Sequence, residues 1–163
     1  MQNKWEKTSF NNYMQMAIDV ASNGKKRNKN TKEIEIPIGC IIVDNKNHTI
    51  LAKSCNRTQK TKNPTQHAEI ICINTALKKI NSDRLTNCSM YVTLEPCGMC
   101  ASAIALAKIG NLYIGCLSKK TGAVISNCNY FDSKICNHKP KIFYPIMEKE
   151  CTKLICDFFK EMH

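Results

Sequence analysis

Residues 91–100 read YVTLEPCGMC, a β-prone run that ends on Glu-Pro and leads at once into two cysteines three positions apart. Proline lacks a backbone N–H, which costs nothing at the first position of a helix, so the stretch predicts a strand feeding a helix that opens near Pro96. Cys97 and Cys100, at i and i+3, then share one face of the first helical turn. Cys-x-x-Cys alone fits a structural zinc knuckle or a pair of core cysteines as readily as a reactive metal centre. A structural site needs a fourth ligand; Cys88 and Cys116 are available, but each is placed like a strand residue.

Outward from this corner the chain alternates. GMCASAIALAKI predicts a helix over Gly98–Ile109 and LYIGC a strand over Leu112–Cys116, while the run before Pro96 predicts a strand over Ser89–Leu94. Pro64 and Thr65 announce a helix from about Gln66 to Ile80. IEIPIGCIIVD and TILAKSCN flank the turn-forming DNKNH as an antiparallel hairpin, with Pro37 near a strand start, where its missing N–H is tolerated. Ser9 can cap a first helix through Phe10, Tyr13, Met14, Ala17, Val20 and Ala21, closed by Gly24. A short strand near Lys141–Tyr144 and a final helix through Met147, Cys151, Leu154, Ile155, Phe158 and Met162 finish the chain. Strands alternating with helices imply right-handed crossovers and parallel pairing. The expected fold class is α/β: one domain over residues 1–163, with a mixed five-stranded sheet and helices on both faces.

Composition narrows the function. A chain of 163 residues buries about 70% of its unfolded surface and needs no staples. No apolar run approaches the ~20 residues of a membrane helix, and MQNKWEKTSFNNY has neither an apolar core nor a cleavage site, so no membrane association and a cytoplasmic location are expected. The 11 cysteines are odd in number and lack an export signal; Cys40, Cys72, Cys88, Cys116, Cys151 and Cys156 read as free thiols in apolar surroundings. The net charge of +11 suits a polyanionic partner, although the excess of Lys over Arg also fits an AT-rich coding sequence. KKRNKNTKE (25–33) reads as a solvated basic insertion or an anion-binding arm. The helix from Gly98 has almost no polar face and must be covered on several sides, which predicts a homodimer.

The partner for the cysteine pair is PTQHAEI, which places His67 at the lip of one helix and Glu69 two residues on. Both helices leave the C-terminal ends of strands at one edge of a parallel sheet, where α/β proteins place their sites. One His and two thiolates are three zinc ligands with the fourth position left for water. Helix N-termini favour thiolates there. Such a set is formally neutral and acidifies water less than a tris-histidine site, so an adjacent carboxylate must help; Glu69 is placed to take a proton and pass it on.

His-x-Glu followed by Pro-Cys-x-x-Cys resembles the signature of zinc base deaminases. The longer set IPIGCIIVD, NRTQKTKNPTQHAEI, YVTLEPCGMCASAI, KTGA, CNHKP and DFF resembles the bacterial tRNA-specific adenosine deaminases of the cytidine deaminase-like superfamily, from about residue 8 to the end. The resemblance implies a three-layer α/β/α sandwich, one Zn2+ per subunit of a homodimer, and conversion of adenosine to inosine at the wobble position of the tRNA anticodon arm. Water activated at the metal would attack C6 of a flipped-out adenine while Glu69 protonates N1 and then the leaving ammonia. Carried over by position, Asn56 contacts the base, the backbone of Ala68 meets the base edge, and Phe159 lies near the anticodon loop. Ser118 occupies a ribose-contacting position where the family commonly has an acid. Arg57, Lys119 and Lys120 are the candidates for phosphate contacts. Further departures are the basic insertion at 25–33 and the small Gly98 between the cysteines. Two other readings keep the zinc: a deaminase of a free base or nucleotide of guanine or cytosine type, and a non-catalytic zinc-stabilised RNA-binding module.

Overall fold

The computed structural model of the chain describes residues 4–24 and 34–162, with side chains from residue 10 onward in the first segment. Its strands are β1 (Gly39–Asp44), β2 (Ile50–Cys55), β3 (Cys88–Leu94), β4 (Asn111–Cys116) and β5 (Lys141–Phe143). Its helices are α1 (Lys4–Gly24), α2 (Thr58–Thr61), α3 (Ala68–Ile80), α4 (Gly98–Leu106) and α5 (Glu148–Glu161). The sheet order is β2-β1-β3-β4-β5, with β1 antiparallel to both neighbours and β3, β4 and β5 parallel. This is the mixed five-stranded sheet expected.

Side-chain alternation divides the sheet into two cores. Cys40 and Ile42 of β1, Met90 and Val92 of β3, and Leu112 and Ile114 of β4 pack with Ala68, Cys72, Ala101 and Ile104 of α3 and α4. Ile41, Val43, Tyr91 and Tyr113 pack instead with Met14, Ala17 and Cys151 of α1 and α5. Each fully buried aliphatic side chain contributes about 1.5–3 kcal/mol. A one-residue slip would exchange the two sets, so the register is strongly specified. Under α1 the rings of Tyr91, Tyr113 and Phe143 stack with centroids 4.4 and 4.5 Å apart. Gly39 lets α1 approach the sheet, since a Cβ there would lie 1.9 Å from the Ala17 carbonyl oxygen.

Turn chemistry closes the hairpin as expected: the Lys46 N–H donates to Asp44 Oδ1 at 2.8 Å and the Thr49 N–H to Asn47 Oδ1 at 3.0 Å. Three expectations are corrected. Helix α1 is already under way at Lys4, so Ser9 lies within it and does not cap it. Helix α4 stops at Leu106 rather than Ile109, because Lys108 adopts a left-handed conformation and the N–H groups of Lys108 and Ile109 donate back to Ala105 and Ile104, a Schellman closure. Cys156 is exposed, on the polar side of α5 with Lys153, Asp157 and Lys160, whereas Cys40, Cys72, Cys88, Cys116 and Cys151 are buried. The basic segment 25–33 lies outside the described residues. Among the described residues no helix is long and apolar enough to cross a membrane.

The topology also corrects how the site edge is built. Strands β2 and β3 point the same way but are not neighbours; β1 runs between them in the opposite sense. Because their directions agree, the helices that follow them, α3 and α4, open at the same edge of the sheet.

Candidate metal centre

His67 and Cys97 are the residues from which α3 and α4 start, both in extended backbone conformation, and neither side chain makes a capping hydrogen bond. The imidazole and thiol are thus left for another partner. His67 Nδ1 lies 3.7 Å from Cys97 Sγ and 3.5 Å from Cys100 Sγ, and the three donor atoms fall within 4.8 Å of one another. For a tetrahedral zinc with Zn–S about 2.3 Å and Zn–N about 2.05 Å, the N···S edge is about 3.6 Å. Both nitrogen–sulfur separations therefore already match the spacing zinc requires. Among the described residues this is the one group of three His, Cys, Asp or Glu side chains close enough to hold a metal ion. Cys88 and Cys116 are not part of it, and the Cys116 thiol donates to the Thr93 carbonyl at 3.3 Å.

Protons are contested among these groups. The neighbouring Cys100 thiol, opposed by burial and helped by His67, pulls Cys97 down to about 4, and the same contact with Cys97 pushes Cys100 up. His67 is raised by its hydrogen bond to Cys97, against burial and with help from Glu69. Glu69 is buried, and burial is what raises its carboxyl above the usual range. Its Oε2 is a buried polar atom with no hydrogen-bond partner. A buried carboxylate oxygen without a conventional donor costs roughly 1–3 kcal/mol or more. The Cys100 thiol reaches the same carboxyl, and a place beside two thiols and an imidazole suits a group that handles protons. The residues fit a zinc ion with an adjacent base.

Asn56 is buried, and its Oδ1 accepts the Ala68 N–H at 2.9 Å. That N–H is consequently engaged within the protein. The exposed segment Arg57–Lys62 is held by Glu35, which accepts from the Thr58 hydroxyl and the N–H groups of Gln59 and Lys60 at 2.6–3.0 Å. Thr58, Gln59, Lys62, Pro64 and His67 line an open cleft of about 410 Å³. A Cβ at Gly98 would meet open space, so packing does not demand its small size.

The loop after β4 meets the site at Cys97, where Gly122 forms an antiparallel bridge with it. Ser118, half-buried, shares a hydrogen bond between its hydroxyl and that of Thr121 at 2.9 Å, and Lys119 and Lys120 are exposed. The loop wraps around Glu95, a buried carboxylate that the sequence reading passed over. Burial pushes Glu95 up, but the Ser126 hydroxyl and the N–H groups of Ser126, Ile125 and Ser118 outweigh it and hold the carboxyl below the usual range. A signal was present: an acid between Leu94 and Pro96 at the end of an apolar strand must find donors wherever it is buried. Phe159 is 47% exposed on α5, edge-on to Phe158.

Residues 7–116 match the family model of the cytidine and deoxycytidylate deaminase zinc-binding region. A tRNA-specific adenosine deaminase of Rickettsia bellii is 45% identical over 128 residues, covering 78% of this chain and 88% of that one. The tRNA-specific adenosine deaminase of Agrobacterium fabrum is 36% identical over 156 residues, covering 96% and 95%. A solved structure from studies of A-to-I editing by tRNA:A34 deaminases superposes with a TM-score of 0.79 at 36% identity, covering 88% of this chain and 98% of that one. A guanine deaminase from Nitrosomonas europaea, 14% identical with a TM-score of 0.76 and coverage of 91% and 83%, shares the fold.

Proposed function

The chain belongs to the tRNA-specific adenosine deaminases, and from that premise we propose how its own residues convert adenosine to inosine at the wobble position of tRNA. The cofactor is zinc, and His67, Cys97 and Cys100 hold one ion per chain. Bound there, zinc lowers the pKa of a water enough to make it a nucleophile near neutral pH. Glu69 takes a proton as the water oxygen adds to C6 of the adenine, and delivers it to N1. It then takes the remaining hydroxyl proton and passes it to N6, so that the C6–N6 bond breaks and ammonia leaves. Adenosine plus water thus gives inosine plus ammonia. The observation that carries this chemistry is the unpartnered, buried Oε2 of Glu69 beside three donors spaced for zinc.

Asn56, fixed through Oδ1 by Ala68, offers its amide N–H groups to the base. Arg57, Lys119 and Lys120 meet phosphates of the anticodon arm, in keeping with a net charge of +11, and Phe159 stands against the anticodon loop. Ser118 directs its hydroxyl to Thr121 and so gives the ribose a weaker partner than an acid would. The protein works as one domain and as a homodimer through the exposed Met99 and Leu106 of α4, in the reducing cytoplasm that suits eleven cysteines outside disulfides.

Incubation with a tRNA carrying an ACG anticodon, and separately with guanine and with cytidine, tests the reading. Inosine in the RNA, with neither small molecule converted, is the expected result. Product from guanine or cytidine with none in the RNA would overturn it.

A further inference from the structure

We infer that Glu95 is a positioning residue of this deaminase, a clasp that sets where the 117–126 loop stands beside the metal-ligand helix; the inference rests on the tRNA reading above. Glu95 is 3% exposed. Its Oε1 accepts the N–H groups of Val124, Ile125 and Ser126 at 3.1, 2.7 and 2.8 Å. Its Oε2 accepts the Ser118 N–H at 3.0 Å and the Ser126 hydroxyl. A carboxylate that takes donors from both ends of one loop, most of them backbone, fixes the course of that loop.

The same loop is tied to the corner that carries Cys97. The Ala123 N–H donates to the Pro96 carbonyl at 2.9 Å, and Gly122 forms an antiparallel bridge with Cys97. At its other end the loop carries Ser118, Lys119 and Lys120, the residues to which the RNA reading gives substrate contacts. Glu95 thus couples the placement of a metal ligand to the placement of the groups that meet the substrate. Gly122 serves this closure: a Cβ there would stand 2.2 Å from Glu95 Oε2 and 2.6 Å from the Ser118 carbonyl oxygen.

The two oxygens do different work, and Glu95→Gln separates them. An amide oxygen in the place of Oε1 keeps the three donors of residues 124–126, and with them the Cys97 side of the loop. The NH2 then faces the Ser118 N–H, donor against donor, while the Ser126 hydroxyl can turn to accept. The bond lost is the one to Ser118. The expected result is a KM for tRNA raised about tenfold or more, kcat within about threefold, and zinc still at one per chain. Hydrogen exchange should quicken at the Ser118 amide and stay unchanged at Val124, Ile125 and Ser126. Gly122→Ala forces the clasp open from the loop side and should raise KM in the same way.

A purely structural Glu95 behaves differently. Its substitution lowers kcat in proportion to lost zinc and leaves KM unchanged, and that result would overturn the inference. So would kinetics equal to the parent's in Glu95→Gln once its Ser118 amide exchanges faster, or an unaltered Ser118 amide. A parent protein that forms no inosine overturns the functional reading and with it the role; the clasp itself is then judged by the amide exchange.

Discussion

The Ala68 N–H donates to Asn56 Oδ1 at 2.9 Å, joining the end of β2 to the first turn of α3. This bond satisfies one of the N–H groups that every helix start leaves without an intrahelical partner, and it lies one residue beyond His67. The side chain that fixes the start of α3 beside His67 is therefore the one proposed above to offer its amide donors to the base.

Substitution divides the two roles. Asn56→Asp keeps an acceptor for Ala68 and should hold the melting temperature within about 2 °C, less than a 1 kcal/mol loss would move it. It removes the amide donors, so kcat/KM is expected to fall about a hundredfold, or roughly 2.7 kcal/mol. Asn56→Ala should lose both, with about 1–3 kcal/mol of stability gone. Thermal unfolding and steady-state kinetics on the pair check this; an Asp variant as active as the parent would remove Asn56 from base recognition.

Glu69→Gln should lower kcat by about 10²–10⁴-fold while zinc and fold persist. Burial holds the Glu69 carboxyl above its ordinary value, so the folded state takes up a proton more readily than the unfolded one. The stability from this group is full below the unfolded value of about 4.3 and is lost as pH rises through the folded value. At neutral pH an uncharged isostere should then melt no lower than the parent. Calorimetry at pH 7 together with the deamination assay would show it, and a clearly less stable variant would mark Glu69 as structural.

Leu106 is 67% exposed, and Met99, seven residues before it, shares its side of α4. Leu106→Glu is expected to convert a dimer into a monomer in light scattering after gel filtration. A parent protein that already elutes as a monomer would contradict the proposed assembly.

Lys119→Ala and Lys120→Ala should weaken tRNA binding without changing kcat. Each neutralised phosphate contact should also reduce the slope of log K against log salt by about 0.7–0.9. Filter binding at several salt concentrations measures this, and unchanged slopes would place the phosphate contacts elsewhere.

Where apolar periodicity and special residues agreed, the sequence was a good guide. The turn chemistry of Asp44–His48 and the alternation in β1, β3 and β4 act locally, so they were readable without coordinates. Pro96 marked the end of the strand, but it precedes the cap Cys97 and α4 opens only at Gly98. The grouping of His67 with Cys97 and Cys100 was legible because β/α order brings successive helix starts to one edge. What escaped depends on contacts distant in sequence or on unusual backbone. Lys108 ends α4 early in a conformation that glycine usually takes. Cys156 looked apolar by its neighbours, but α5 turns it outward. The antiparallel β1 between β2 and β3 is a matter of sheet order, which strand patterns do not encode. Glu95 was hidden for the same reason: its donors lie 23–31 residues away in a loop with no period of its own.

Deamination by this site requires that His67, Cys97 and Cys100 coordinate zinc with a position left open. X-ray absorption at the zinc edge of the purified protein should find two sulfurs at about 2.3 Å and two light atoms, one imidazole nitrogen and one oxygen, at about 2.0–2.1 Å. A shell of three or four sulfurs, or two imidazoles with no oxygen, would mean a closed structural site and would contradict the assignment.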